Sequence, residues 1–228
     1  MITLDKVSFS YGEKQILKDI SISFEEGEVH GIIGLNGAGK TTFFNLICGY
    51  EKATEGKITS NNHSVIKNEI GFLETENYFY PKLTAKDFLN VFTQTNTSFN
   101  QDKLVEIFNL PLDELIQNYS TGMKKKLMLL SYIKQDKKVY VLDEPFNGLD
   151  LEANKTLEII IDILKQKGKT IFISSHIIEP LLNVCDKIYY LSNKSFTKTY
   201  QKNEFHLLEE EIFGNLKSKL KTDIGLAF

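Results

Sequence analysis

The sequence contains no arginine: all 27 basic residues among its 228 residues are lysines. The chain therefore cannot supply an arginine finger to a phosphoryl transfer reaction. It also lacks the side chain best suited to bidentate contacts with bases or phosphates. Because the formal net charge is −3, the composition does not indicate a nucleic-acid-binding surface, and we expect no nucleic-acid partner.

Cysteines and long apolar runs are also scarce. Cys48 and Cys185 are the two cysteines; they lie far apart and match no metal-binding spacing, so we expect buried thiols. No apolar run reaches the roughly 18 residues that a membrane span needs. Met1 leads directly into a strand-like segment, without a basic region or a signal-peptide core. We therefore expect a soluble chain that needs another protein's helices to act at a membrane.

A glycine-rich loop follows the continuous apolar segment Val29–Ile33 and precedes a predicted helix. Residues 34–41 read Gly-Leu-Asn-Gly-Ala-Gly-Lys-Thr, which is a complete P-loop in the strand–loop–helix context that the motif requires. Its glycines allow backbone N–H groups to converge on phosphate oxygens, and the helix N-terminus adds a positive dipole end. The predicted phosphate-binding residues are Asn36, Gly37, Ala38, Gly39, Lys40, Thr41 and Thr42. Within this set, Lys40 should reach the β- and γ-phosphates and the Thr41 hydroxyl should bind Mg²⁺.

Two carboxylates end a second apolar segment, residues 139–142. In α/β proteins, ligands bind at the carboxyl ends of such buried strands. We predict that Asp143 holds Mg²⁺ through water. Glu144 is the candidate that polarises the attacking water in hydrolysis.

The order of the remaining motifs is typical of a known family. Residues 119–123, Tyr-Ser-Thr-Gly-Met, lie between the P-loop and Asp143, and Ser174-Ser175-His176 follow it. In this order the motifs resemble those of the ATP-binding subunits of ATP-binding cassette (ABC) transporters, from Tyr11 to His176. The flanking residues are similar to those of bacterial exporter ATPases of the ABC-2 type.

The resemblance implies further site residues. Ser120 and Gly122 correspond to the family's signature turn, which reaches the ATP of the other subunit. Asp150, after Glu144-Pro145, is placed in the loop that couples the two nucleotide sites across a dimer. His176 is implied to contact the γ-phosphate and to orient the catalytic water, and Tyr11 to stack on adenine.

The sequence also departs from the family pattern. The signature is Leu-Ser-Gly-Gly-Gln, whereas Thr121 and Met123 stand at two of those positions here. The family's glutamine after its second core strand aligns with Thr75, which Glu74 and Glu76 flank. We predict that Thr75 contacts a metal-bound water, or that a neighbouring glutamate takes over this contact.

The segments predict an α/β fold: a P-loop NTPase core of mostly parallel sheet flanked by helices, with an N-terminal antiparallel β element. We assign residues 1–75 and 136–200 to the nucleotide-binding core and residues 76–135 to an inserted α-helical lobe with a polar break at 96–98. Residues 201–228 are predicted to form a C-terminal helical tail, from the spacing of Phe205, Leu208, Ile212 and Leu216. Together, residues 1–228 would form a single ABC ATPase domain.

The predicted function is ATP binding and hydrolysis, with Mg²⁺, that powers a transporter through dimer closure. The partners would be an integral membrane permease and a second copy or a homologous ATPase subunit, at the cytoplasmic face of the membrane. Cargo of an ABC-2 exporter would be peptides, drugs or lipids. The alternative is a non-transport ABC ATPase that acts on the ribosome or on nucleic acid.

Two other classes of P-loop enzyme fit the sequence less well. A GTPase should carry Asn-Lys-x-Asp for guanine, but residues 193–196 read Asn-Lys-Ser-Phe and lack the aspartate. A small-molecule kinase would leave the turn at 120–122 and His176 without a role.

Overall fold

The computed structural model describes residues 1–61, 63–64, 67–95, 99–208, 210, 211 and 214. The strands, in chain order, are β1 (Ile2–Tyr11), β2 (Lys14–Phe24), β3 (Val29–Ile33), β4 (Glu55–Ser60), β5 (His63–Ser64), β6 (Ile70–Leu73), β7 (Val139–Asp143), β8 (Thr170–Ser175), β9 (Lys187–Ser192) and β10 (Ser195–Gln201). The α-helices are α1 (Lys40–Ile47), α2 (Ala85–Asn90), α3 (Gln101–Phe108), α4 (Thr121–Lys134), α5 (Leu151–Gln166) and α6 (Glu179–Val184).

A six-stranded sheet with strand order β10-β9-β3-β8-β7-β6 forms the centre of the fold. Its strands pair in parallel from β9 to β6, while β10 pairs antiparallel with β9. Because β3, β8 and β7 are neighbours in a parallel sheet, their carboxyl ends lie side by side at one edge. This architecture confirms the predicted α/β fold with a mostly parallel sheet.

A second, antiparallel sheet with order β2-β1-β4-β5 contains the predicted N-terminal β element. The register of β1 shifts between Leu4 and Val7, and Lys6 within this bulge has a φ of 50°. The extra residue returns Val7 to the buried face that Ile2 and Leu4 occupy. The bulge therefore explains why the apolar positions of β1 do not keep a strict period of two.

The core lies on both faces of the central sheet. On β7 and β8, Tyr140, Leu142 and Ile171 face one hydrophobic cluster, which α4 and α5 cover. Their neighbours in sequence, Val141 and Phe172, face a second cluster that includes α1 and the antiparallel sheet. Since successive side chains of a strand point to opposite faces, strands buried on both sides read as continuous apolar runs.

Residues 76–135 contain α2, α3 and α4, whose first turns are capped by side chains. Thr84 and Asp87 form a reciprocal capping box at α2, and the Asn100 side chain accepts a hydrogen bond from Lys103 N at α3. Asparagine and threonine satisfy N–H groups that a helix start leaves unpaired. The predicted polar break at 96–98 lies outside the described residues.

The described part of the C-terminal segment begins as a 3₁₀ helix, Lys202–Leu207, with Phe205 and Leu208 buried. Ile212 and Leu216 of the predicted tail lie outside the described residues. Both cysteines are buried and unpaired thiols, as expected. Across the part of the chain that the structure describes, no helix combines the length and apolar character needed to cross a membrane.

A buried histidine stands on β3. His30 is 0% exposed; its Nε2 lies 2.8 Å from the carbonyl oxygen of Glu25 and its Nδ1 3.3 Å from the hydroxyl of Tyr189. The rings of Phe24 and Phe172 pack against it. Burial lowers the pKa of His30 from 6.5 to about 4, because the protonated ring would lose its hydration.

We expect His30 to make the fold acid-sensitive. The unfolded state binds the extra proton below pH 6.5 and the folded state only near pH 4, so stability falls as pH drops through that window. His30→Phe keeps a ring and removes the proton site. Between pH 7 and pH 4, the free energy of unfolding of this variant should therefore fall by about 3 kcal/mol less than that of the wild type. Urea unfolding of both proteins at pH 7 and pH 4 measures the difference, and equal pH dependences would contradict the assignment.

Gly56 is expected to be essential for the bulged sheet. It has a φ of +78°, and a Cβ there would lie 2.3 Å from the carbonyl oxygen of Lys6. Gly56→Ala should therefore lower the free energy of unfolding by about 3 kcal/mol or more. Gly168→Ala is the matched control, because Gly168 has a φ of +74° and nothing within 4 Å of such a Cβ; it should cost about 1 kcal/mol. Equal losses of unfolding free energy in the two variants, measured with urea, would contradict this prediction, because they would mean that the structure shifts to relieve the contact at Gly56.

Candidate functional site

One pocket gathers most of the predicted site residues at the carboxyl edge of the central sheet. The P-loop follows β3, Asp143 and Glu144 end β7, and His176 follows β8. The residues that line the pocket are Tyr11, Lys14, Ile16, Asn36, Gly37, Gly39, Lys40, Thr41, Thr42, Thr75, Asp143, Glu144, Asn147 and His176. Three short connections, after β3, β7 and β8, thus bring together residues that are distant in sequence.

The P-loop backbone is built for close approach by a ligand. Gly37 and Gly39 have φ values of +81° and +108°, which residues with a Cβ rarely adopt. Gly39 is the N-cap of α1, so the helix begins at Lys40 and points its N-terminus at the pocket. The Lys40 ammonium is 7% exposed and donates to the carbonyl oxygen of Gly34 at 2.8 Å. The Ala38 N–H donates to the carbonyl of Leu35.

Asp143 is the centre of a cluster of oxygen atoms. Its carboxylate is 1% exposed and accepts hydrogen bonds from the hydroxyls of Thr41 at 2.7 Å and Thr75 at 3.2 Å. The Ser174 hydroxyl donates to its other oxygen. Carboxylate and hydroxyl oxygens are the ligands that Mg²⁺ prefers, so the residues present fit this ion. Among the described residues, no group of three His, Cys, Asp or Glu side chains is placed to hold a metal.

Glu144 directs its carboxylate between two polar groups. Oε1 lies 3.5 Å from Lys40 Nζ, and Oε2 lies 2.9 Å from His176 Nδ1. The Asn147 amide donates to Oε2 at 3.4 Å. A carboxylate held next to an imidazole in such a pocket can orient and polarise water.

Thr75 and Glu74 lie where the family pattern has its glutamine. The Thr75 hydroxyl contacts Asp143, as described above, and Thr75 itself is exposed. Partial burial and the nearby Asp143 charge raise the pKa of Glu74. Thr75 lines the pocket, and Glu74 and Glu76 do not.

Tyr11 stands at the far end of the pocket, at the end of β1. Its ring is 48% exposed and packs edge-on against Phe9, with centroids 4.8 Å apart. An open aromatic face here has room for a planar base. Lys14 and Ile16 of β2 also line the pocket, and no sequence motif identified them.

The predicted signature residues lie outside this pocket. Ser120 is exposed and caps α4, which begins at Thr121, by accepting from Met123 N at 3.2 Å. Gly122 is buried beside the loop that follows Glu144. A Cβ added at Gly122 would lie 3.3 Å from the carbonyl oxygen of Gly148. Asp150 is exposed, and its side chain caps α5. Ser120 and Asp150 are thus exposed and Gly122 is buried, and none of the three lines the P-loop pocket.

Three supporting residues were missed as site residues by the sequence analysis. Ser174 donates to Asp143 and accepts from the N–H of Glu144 at 2.9 Å. Asn147 contacts Glu144. Lys125 is buried and donates to two main-chain carbonyls behind the site. The serine ends an apolar strand and the lysine lies in a lysine run, so no local pattern distinguishes either.

The fold and site define a P-loop ATPase. The family model described as "ABC transporter" matches residues 17–147, and the chain belongs to this family. It is 30% identical over 236 residues to the ABC transporter ATP-binding protein YtrB of Bacillus subtilis, covering 100% of this chain and 80% of that protein. It is 30% identical over 199 residues to the lantibiotic transport ATP-binding protein SrtF of Streptococcus pyogenes, covering 84% and 86%.

Solved structures agree with this family. An ATP-binding subunit of an ABC transporter superposes with a TM-score of 0.81 at 25% identity, covering 94% of this chain and 93% of that one. An ATP-binding cassette dimer in a post-hydrolysis state with ADP and Pi gives a TM-score of 0.78 at 21% identity, covering 89% and 99%; at that identity it shows the fold alone. The protein is therefore the ATP-binding, ATP-hydrolysing subunit of an ABC transporter.

The hydroxyl of Thr75 should support the Mg²⁺ requirement of hydrolysis. Thr75→Val keeps the shape of the side chain and removes one donor to Asp143, so we expect roughly 10-fold more Mg²⁺ at half-maximal ATPase rate. Glu74→Gln and Glu76→Gln should leave the Mg²⁺ requirement unchanged if Thr75 makes this contact. A shift in Glu74→Gln or Glu76→Gln, with none in Thr75→Val, would assign the contact to the neighbouring carboxylate instead.

Proposed function

We propose that two copies of this subunit, or this subunit and a homologue, close on MgATP and thereby drive a bacterial exporter. The observation that supports a dimer is that the predicted ATP-binding residues fall into two groups, one in the P-loop pocket and one outside it. The P-loop pocket holds Lys40 and Glu144, whereas Ser120 is exposed outside it and Gly122 does not line it. A second subunit is the source of a signature turn for this pocket, and the start of α4 offers N–H groups and a helix dipole to a γ-phosphate.

Each residue of the pocket has a role in the proposed hydrolysis. Lys40 and the P-loop N–H groups bind the β- and γ-phosphates. Asp143, Thr41 and Thr75 would hold Mg²⁺, which supplies charge neutralisation on the phosphate oxygens when bound. Glu144 polarises the attacking water, and the His176 ring, 2.9 Å from it, orients Glu144 and that water.

The permease is proposed to dock beside the segment between β6 and α2. Tyr78 and Tyr80 are 73% and 70% exposed, with ring centroids 5.6 Å apart. Phe79, between them, packs against Phe88 of α2 instead. The segment is thus anchored from within and presents two tyrosines outward, an arrangement that suits an amphipathic helix of a membrane protein. Such a partner places the subunit at the cytoplasmic face of the membrane.

Export is the proposed direction of transport. The relative named for lantibiotic transport matches 84% of the chain, and the motifs at 119–123 and 142–150 are similar to those of ABC-2 exporters. The proposed cargo is a peptide, drug or lipid. Because the permease selects the cargo in such transporters, its identity would define the substrate.

Capture of the ATP-bound complex tests this function. Glu144→Gln preserves the shape of the side chain and removes its charge, so we expect at least a 100-fold lower ATPase rate and a dimer that persists in MgATP. A tagged Glu144→Gln chain, pulled from detergent-solubilised membranes with MgATP, should co-purify with one polytopic membrane protein, identified by mass spectrometry.

Two variants separate the parts of this proposal. Lys40→Ala should bind no nucleotide and form no persistent dimer. Glu144→Gln with Tyr78→Ser and Tyr80→Ser should still dimerise in MgATP but lose the membrane protein. Recovery of ribosomes or nucleic acid alone would contradict the transport assignment, and a Glu144→Gln chain that stays monomeric in MgATP with its partner present would contradict dimer closure.

A further inference from the structure

A buried lysine lies directly behind the carboxylate side chains of the site. Lys125 is on the second turn of α4 and is 4% exposed. Its ammonium donates to the carbonyl oxygen of Glu144 at 2.7 Å and to that of Asn147 at 2.8 Å. The side chain thus crosses from α4, whose N-cap is Ser120, to the turn that follows β7.

Burial of the Lys125 ammonium has an unfavourable free energy, because the charge loses its hydration. Removal from water lowers the pKa of Lys125, and the nearby charges of Glu144 and Asp143 oppose that shift. A buried ammonium is tolerated only where hydrogen bonds and opposite charge replace its hydration. Here the hydrogen bonds go to main-chain carbonyls, so the lysine fixes backbone position as well as balancing charge.

The backbone that it fixes is in an unusual conformation. Glu144 has a φ of 49°, in the left-handed region that residues with a Cβ seldom occupy. Its N–H donates to the Ser174 hydroxyl at 2.9 Å, and its carbonyl accepts from Lys125. Held on both sides, the residue turns its carboxylate toward Lys40 and His176. Residues in such conformations persist where the surrounding structure determines them, and they cluster at functional sites.

We propose that Lys125 is a positioning residue for hydrolysis, one that sets the carboxylate of Glu144 and links it to the signature turn. The inference rests on the proposed role of Glu144. Lys125 follows Ser120 by little more than one helical turn, on the same continuous helix. A displacement of the signature turn therefore moves the donor that holds the Glu144 carbonyl, and the loop through Asn147 moves with it.

A second buried lysine on the same helix provides a matched control. Lys134 is 8% exposed, and its ammonium donates to the carbonyl of Leu89 at 2.8 Å. It makes the same kind of contact as Lys125, at the other end of α4 and away from the pocket. A purely structural role would make the two lysines equivalent in their effect on hydrolysis.

The test compares Lys125→Met with Lys134→Met in the full chain. Both should lower the thermal unfolding midpoint. Lys125→Met should lower kcat roughly 10- to 100-fold while the MgATP dissociation constant, from calorimetry, stays within about twofold of the wild-type value. Lys134→Met should keep both parameters. In the Glu144→Gln background, Lys125→Met should reduce the residual rate no further, because residues acting through one another are not additive.

The outcomes distinguish a positioning role of Lys125 in hydrolysis from a purely structural role. An equal kcat in Lys125→Met and Lys134→Met, or a full further loss in the Glu144→Gln background, would overturn the inference while the proposed role of Glu144 stands. Wild-type turnover by Glu144→Gln itself would overturn both. If Lys125→Met does not fold, Lys125→Gln takes its place, because its amide remains polar but reaches less far; the same comparison then applies.

Discussion

The buried carboxylate of Asp143 is the interaction on which the site depends. A charge that is 1% exposed is stable only with partners, and these come from three different segments: Thr41 at the start of α1, Thr75 after β6 and Ser174 at the end of β8. Satisfying one carboxylate therefore fixes the P-loop helix and two strand ends relative to β7. The groups proposed to bind phosphate and to activate water are aligned by the same requirement.

The parallel sheet makes that convergence possible. β3, β8 and β7 are adjacent in the sheet, although their loops are far apart in sequence. The strands are buried on both faces by two hydrophobic clusters, so their ends have little freedom to move. Loops on a rigid sheet can hold catalytic side chains more accurately than loops alone.

Much of this could be predicted from the sequence, because the informative patterns are local. The P-loop, the apolar runs of β3 and β7, and the order of the motifs identified the fold and most of the pocket. β4 and β10 were missed; β4 carries one apolar side chain, Ile58, and residues 197–199 and 201 of β10 are exposed. Strands with one solvated face and few apolar residues give no clear period.

Lys125 shows why the rest could not be predicted. Residues 124–126 are three consecutive lysines, a pattern that predicts a solvated helix face. On a helix, however, successive residues point about 100° apart, and packing of α4 against the turn after β7 buries the middle one. Its carbonyl partners depend on the left-handed conformation of Glu144. No sequence motif encodes a contact between a side chain and a distant main chain.

The same helix contacts each part of the protein that would have to move during closure. Its N-cap is Ser120, its second turn donates to Glu144, and farther along the Tyr132 hydroxyl donates to the Phe72 carbonyl of β6 at 2.7 Å. Phe72 lies three residues before Thr75. A helix is stiff along its axis, so these contacts shift together. If nucleotide engages the signature turn as proposed, α4 is the element that joins that turn to Glu144 and to the end of β6.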